Sequence, residues 1–429
     1  MKRAAVRVLG LLAIVLVGLA PGPAAGQTAA ELTVDELVAR ALTANPDLKA
    51  ARIDLEAAAA RVQQAGLRPN PMLEIGGQKA ISPDNNLNIG LSLPLDLNGR
   101  KDGRVGLAER ELDGKRRQVA DRERRLRADV RMKAGEVLAA RRSLVVIDEL
   151  LQTNRAGLAV VGNRVREGAT PSLDESLQLV EVNRLDASRQ LAQSRVEITT
   201  LQLKALAGMP ADAPLVMKGE LAPSPLLLDQ AAALRRSISE RPDVEVARAE
   251  VAMASAMVKK EQAEGRWDAS VSVGYQRQDT GFNLNGLTAS GQTRPIQDVF
   301  HYFGGAVSIT LPVRNANEGN IAAARAAERA AERRVEFAVL MVQQEVAAAF
   351  TQYDAAQRSL QLYERGVRDV ARRNLDVVRR AYELGRGSLL DVVAEQRRYI
   401  EIENGYTDAL KQVYDASVDI ERAVGVAGR

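Results

Sequence analysis

Two aspartates stand at matching places in two short stretches. Asp174 closes GATPSLD and Asp391 closes GRGSLLD, each six residues beyond a glycine, Gly168 or Gly385. A carboxylate just inside a returning helix caps it, because the helix dipole favours negative charge there. Gathered into a ring at a narrow, low-dielectric mouth, such carboxylates would instead repel anions and bind polyvalent cations. Little else in the chain could do chemistry. There is no Cys and a single His, His301, so thiolate and multi-histidine metal sites are excluded and a Ser-His-Asp triad has one place to stand. His301 reads as an ordinary polar residue at a strand edge. DGK at 113–115 lacks the upstream glycine of a phosphate loop, since position 109 is Glu. No nucleophile has a base beside it. The sequence therefore implies no enzyme, no cofactor and no metal centre.

The elements that must place these aspartates are long helices. None of the fifteen prolines lies between Pro94 and Pro171, between Pro171 and Pro210, or after Pro312. A proline inside a helix costs about 3 kcal/mol, so these spans are free to be continuous. Residues 101–166 would make a rod of roughly 100 Å. Along it Val105, Leu112, Val119 and Leu126 recur every seven residues; after a four-residue step come Val130, Val137, Leu144, Leu151, Leu158 and Val165. That is a coiled-coil seam with one stutter. Val335, Val342, Ala349, Ala356, Tyr363, Val370, Val377 and Leu384 continue the same spacing in the second half. Each rod folds back at a tip, about 167–172 and about 384–389. Gly168, Ala169 and Thr170 form one tip, and Gly385, Gly387 and Ser388 the other. The glycines suit left-handed helix ends, and Ser172 with Glu175, or Ser388 with Asp391, read as capping boxes.

The duplication extends beyond the tips. NPDL at 45–48 matches RPDV at 241–244, GLSLPLDL at 90–97 resembles VSITLPVR at 307–314, and ALAGM at 205–209 matches RAVGV at 422–426. Two copies of one unit, 27–209 and 236–429, are joined by a Pro-rich linker, 210–235. The second copy carries a longer insertion at 279–298. Ahead of both, Lys2, Arg3 and Arg7 introduce a short apolar run that ends in small residues, a secretory signal over 1–26. Removing it takes three of the 59 basic residues, leaving 56 against 55 acidic. With no net positive field there is no reason to expect nucleic acid. The cluster KRRQVADRERRLR at 115–127 alternates with acids and reads as a solvated helix face.

Each unit also holds two short runs of period-two alternation. Leu73 and Ile75 flank Glu74 in the first, at about 71–79. Leu87, Ile89, Leu91 and Leu93 alternate with Asn88, Gly90 and Ser92 at 86–94. The second unit repeats this at about 267–278 and 300–312, with Val271, Val273 and Tyr275, then Phe303, Val307 and Ile309. Aromatics are only 3% of the chain and none precedes Trp267, so a soluble core to cover such strands is missing. Strands of about nine residues, apolar on one face and polar on the other, fit a membrane barrel. Four cannot close one, so the barrel must be shared among subunits.

ANPDLKAARIDLEAAAARVQQAGLRPNPMLEIGG, followed by LSLPLDLNGRKDGRVGLAERELD, resembles the TolC-type outer-membrane efflux proteins, and the likeness runs through both repeats. GLRPNP and LPLDLNGRK are most similar to the heavy-metal export branch. The resemblance implies a mainly α fold with a small membrane β part: a homotrimer whose twelve-stranded barrel, set in outer-membrane lipid, continues as a periplasmic α-helical barrel. It implies a passive exit duct of a tripartite efflux system, whose partners are a periplasmic adaptor (a membrane fusion protein) and an inner-membrane pump of RND type. By the same resemblance Asp391 belongs to the lumen constriction ring. Asp174, Tyr382 and Arg386 belong to the closed-state tethers of the tips, and the tip residues face the adaptor. The position where members can carry a tethering Arg is Gly387 here. Other readings are a type I secretion duct, a periplasmic coiled-coil adaptor, which needs one hairpin only, and a structural filament, which needs no lipid-facing strands.

Overall fold

The computed structural model describes residues 30–81, 84–222 and 229–425. The signal segment lies outside them. The first unit runs α1 (Val34–Ala44), α2 (Pro46–Ala65), β2 (Met72–Lys79), β3 (Asn85–Pro94), α3 (Arg100–Arg166) and α4 (Ser172–Leu206). The second runs α5 (Gln230–Glu240), α6 (Pro242–Glu264), β5 (Asp268–Leu287), β6 (Thr293–Thr310), α7 (Glu318–Leu362), α8 (Arg368–Glu383) and α9 (Leu389–Val424). The order of elements repeats. Two three-residue strands without any sequence signal, β1 (Ala30–Leu32) and β4 (Leu215–Met217), pair in parallel and tie the linker to the start of the described chain.

The repeat extends to how the helices are pinned. Asn45 caps α2 ahead of Pro46, and its Nδ2 donates to the Leu206 carbonyl at 2.9 Å. Arg241 stands in the same place ahead of Pro242 and donates from Nη1 to the Ala423 carbonyl at 3.2 Å. Each helix start thus locks the end of its own unit's last helix, where Gly208 (φ 64°) and Gly425 (φ 76°) turn the chain. Gly208 has no alternative, since a Cβ there would sit 2.6 Å from the Ala44 carbonyl. Arg241 is 2% exposed and also bonds Asp243 and, at 2.7 Å, Glu345 on α7. Burial pushes the Asp243 carboxyl up, but the Arg241 hydrogen bonds and charge outweigh it, leaving Asp243 below its ordinary value.

The basic cluster on α3 is not simply a solvated face. Arg124 bonds Asp121 on its own helix and the Arg422 carbonyl on α9, both at 2.7 Å. Arg117 reaches Glu245 on α6 at 3.0 Å, and Arg122 reaches Asp47 on α2 at 3.4 Å. The sequence hides the links to α2, α6 and α9 because their acceptors are remote in the chain. At this level both units share one core, built on Leu37, Val130, Leu203, Val342 and Val413, each at most 1% exposed. Toward the tips only a smaller cluster remains, Leu150, Leu151, Val182 and Leu185.

In α3 every seam residue from Val105 to Val165 is buried or half-buried, as a coiled-coil seam requires. In the second unit the seam holds from Val335 to Tyr363 and then fails. Val370, Val377 and Leu384 are 43%, 65% and 72% exposed, while Ala371 and Leu375 are buried. The cause is a π-helical turn, Tyr363–Val367, in which Gly366 departs to φ 178° and ψ −34°. A π turn holds one residue more than an α turn can place, so the inward face moves on by one position. The step is braced from α9. Glu403, buried, accepts from Arg368 at 2.7 Å and Arg142 at 3.4 Å, and both guanidiniums lie over the Tyr406 ring, at 4.9 and 5.0 Å.

The four longer strands form one antiparallel sheet in the order β2-β3-β5-β6. Its register puts Leu73, Leu91, Val273 and Gly305 in one row and Ile75, Ile89, Tyr275 and Phe303 in another, so the apolar face is continuous across strands of both units. That face is exposed: Ile75 is 66%, Phe303 83% and Val307 63% accessible. The opposite face is concave, lined by Glu74, Asn88, Ser92, Ser272, Gln276 and Tyr302. Residues 279–298, expected as an insertion, prolong β5 and β6 past a register shift between Gly281 and Asn285. The sheet ends at β2 and β6, each with one unpaired edge among the described residues.

Candidate functional site

The tips are built by the same local device twice. At the first, the Ala169 amide donates to the Arg164 carbonyl at 2.8 Å and the Gly168 amide to Val165 at 3.0 Å. At the second, Arg386 donates to Ala381 at 2.8 Å and Gly385 to Tyr382 at 2.9 Å. Both are Schellman ends, with Gly168 at φ 74° and Gly385 at φ 70°, where any side chain would be strained.

The returning helices start differently. Ser388 caps α9: its amide donates to Asp391 Oδ2 at 3.2 Å, its hydroxyl to the same oxygen at 2.7 Å, and the Asp391 amide donates back to the hydroxyl at 3.2 Å. The expected box from Ser172 to Glu175 does not form. Pro171 takes the cap position, so Ser172 is already the first helical residue and its side chain cannot reach back. The Asp174 amide donates to the Pro171 carbonyl at 3.1 Å.

The structure brings Asp174 and Tyr382 together across the two units. The Tyr382 hydroxyl donates to Asp174 Oδ2 at 3.4 Å, linking α4 to the end of α8. Burial, and then the Asp174 charge, push the phenol above its ordinary value, so it remains a donor. Arg386 and Gly387 lie exposed in the turn, and among the described residues no ion pair of Arg386 is found. Asp391 is exposed, and hydrogen bonds from Ser388 hold its carboxyl below the usual carboxylate range. Hence it stays ionised, with one oxygen fixed by the cap and the other free. Sequence reasoning missed the buried polar link behind the first tip, where Gln178 Nε2 donates to the Asn154 side chain at 3.0 Å and its carbonyl at 3.1 Å. Asn154, three residues past the seam residue Leu151 and so on the same side of α3, was the available signal.

A family model described as outer membrane efflux protein matches residues 37–209 and 233–426, one stretch for each unit. The chain belongs to this family. It is 25% identical to the cobalt-zinc-cadmium resistance protein CzcC of Cupriavidus metallidurans, over 93% of this chain and 91% of that protein. A membrane protein from Pseudomonas aeruginosa has the same fold, with a TM-score of 0.73 at 22% identity, covering 91% of this chain and 90% of that one. The transmembrane channel CusC superposes with a TM-score of 0.72 at 18% identity over 92% of each chain. The mainly helical architecture with a small sheet is thus the family fold. This efflux protein is an outer-membrane channel with a long periplasmic helical part, and it works with an adaptor and an inner-membrane pump in a tripartite system.

Proposed function

We propose that three copies of this efflux protein close a twelve-stranded barrel in the outer membrane, and that the duct carries heavy-metal cations delivered by an RND-type pump through an adaptor seated on the tips. The observation that carries the trimeric barrel is the sheet itself. Its four strands present an apolar convex face and a polar concave face, with β2 and β6 unpaired at its two edges. In hydrocarbon an open edge costs several kcal/mol for each unpaired group, and pairing β6 of one copy with β2 of the next removes the cost. The stripe Val370, Val377 and Leu384, left outside the chain's own core, is covered by a neighbouring copy in the same arrangement. The cargo rests on the likeness to CzcC, a cobalt-zinc-cadmium resistance protein. The test is the native mass of the protein extracted from outer membranes in detergent, corrected for bound detergent. Three chains are expected; a monomer released without detergent would end this reading.

At the tips Asp391 supplies the constriction ring, because its carboxylate is ionised, exposed and held by the Ser388 cap. Asp174 and Tyr382 tether the tips in the closed state, Arg386 stands beside them, and the turns Gly168–Thr170 and Gly385–Ser388 face the adaptor. Asp391→Asn keeps the size of the side chain and removes the charge. In planar bilayers it should raise the half-blocking concentration of a trivalent cation, added on the tip side, by on the order of tenfold. Unchanged block would remove Asp391 from the ring.

A further inference from the structure

We infer that Glu74 sets a cation preference inside the strand-built part of the duct; this rests on reading the concave face as its lumen. Glu74 on β2 stands opposite Gly90, Gly90 opposite Gly274, and Gly274 opposite Gly304. One level of the wall therefore carries a single side chain and three glycines. The levels on either side are not bare: Ser92 and Ser272 lie at one, Asn88, Gln276 and Tyr302 at the other. The Glu74 Cβ is 4.0 Å from where a Gly90 Cβ would be, so the carboxylate stem lies against the start of this bare belt.

The basic groups lie on one face. Register places Lys79, Arg277 and His301 with the apolar face, at its end near the β5–β6 hairpin, where Arg277 pairs with Asp279 at 3.1 Å. The concave face has Asp268, Glu74 and Asp298 and, between Asp268 and Gln278 and between Asp298 and Thr310, no basic residue. Asp268 pairs with Arg100 at 3.5 Å, and Asp298 accepts from the Val299 amide at 2.8 Å. Glu74 has no hydrogen bond or ion pair among the described residues.

Glycine in a strand interior weakens the strand relative to alanine. Three at one level set the wall back and leave space for water around the one charge there. A free carboxylate in a wide, hydrated belt attracts cations without holding them, which suits a conduit in which cargo must leave as readily as it enters. In a three-chain duct the belt carries three such charges, far along the duct from the Asp391 ring.

The experiment uses planar bilayers with a tenfold KCl gradient and full-length Asp391→Asn protein, so that the tip ring does not mask the belt. This parent should be cation-selective. Adding Glu74→Gln should lower the K⁺/Cl⁻ permeability ratio roughly fivefold, the weight of one ion contact across hydrated space, and Glu74→Asp should keep it. The chain has no Cys, so Glu74→Cys pores can also be modified after assembly, which does not depend on how Gln is tolerated. A negatively charged methanethiosulfonate should restore cation preference and a positively charged one reverse it. Conducting pores whose ratio is unmoved by Gln or by complete labelling would overturn the role of Glu74. A parent that assembles as a trimer yet conducts nothing would overturn the duct reading beneath it.

Discussion

Leu91→Arg should leave almost no heat-resistant assembly in the outer membrane, whereas Ser92→Arg, one residue along the same strand, should assemble and extract normally. Leu91 sits mid-strand on β3, between Leu73 and Val273 on the exposed apolar face, and Ser92 points to the concave face opposite Ser272. Successive side chains of a strand alternate between faces, so the two substitutions test opposite solvents with one chemical change. An arginine facing lipid near mid-bilayer costs about 2–4 kcal/mol, and the proposed three-chain barrel would meet it once per chain, roughly 6–12 kcal/mol in all. Facing water, the same arginine costs little. The assay is band position on unheated gels of outer-membrane extracts, with the urea midpoint of whatever assembles. Equal behaviour of the two variants would show that the sheet does not divide lipid from water.

The second large effect is at the opposite end of the architecture. Arg241→Met should destabilise the helical part by about 3–5 kcal/mol, the usual result of stripping one partner from a buried ion pair. Arg241 serves Asp243, Glu345 and the Ala423 carbonyl at once, so its loss takes a partner from groups on three helices, with Asp243 left to the Val244 amide and Arg124. Lysine would not repair it, because an ammonium cannot span that fork of acceptors. The pH dependence supplies a second readout. Asp243 has its folded value depressed, so its contribution is complete above the unfolded carboxylate value of about 4 and is lost as pH falls through the lower folded value. The gap between wild type and Arg241→Met in thermal midpoint should therefore be full at neutral pH and narrow below about pH 4. A gap that stays constant to pH 2, or never opens, would mean the clamp does not hold the junction.

Much of this was legible in the residues, and the gaps have physical causes. Prolines and seven-residue spacing gave the rods, because both act over long, regular stretches. Period-two alternation gave the four strands wherever two different solvents require it. Past Asp279 the regular alternation lapses, so DTGFNLNGLTASGQTRPIQD reads only as an insertion, with no sign that β5 and β6 run on into it. The step at Tyr363–Val367 was hidden because one extra residue shifts a face without leaving a break in composition; Gly366 is its one mark. Of the tip residues, Ser388 and Asp391 announced their capping box by spacing alone. The Tyr382–Asp174 bond joins distant parts of the chain, which no local pattern encodes.

The unpaired edges of β2 and β6 bear on the genetics of this protein. In the proposed trimer each chain's sheet is finished by its neighbours, so the chain is not an independent unit of inheritance. If a cell makes equal amounts of a sound and a damaged copy, random mixing into such trimers leaves about one duct in eight free of the damaged one. Alleles that spoil an edge without preventing folding should therefore be dominant, while those that destroy the chain outright should be recessive.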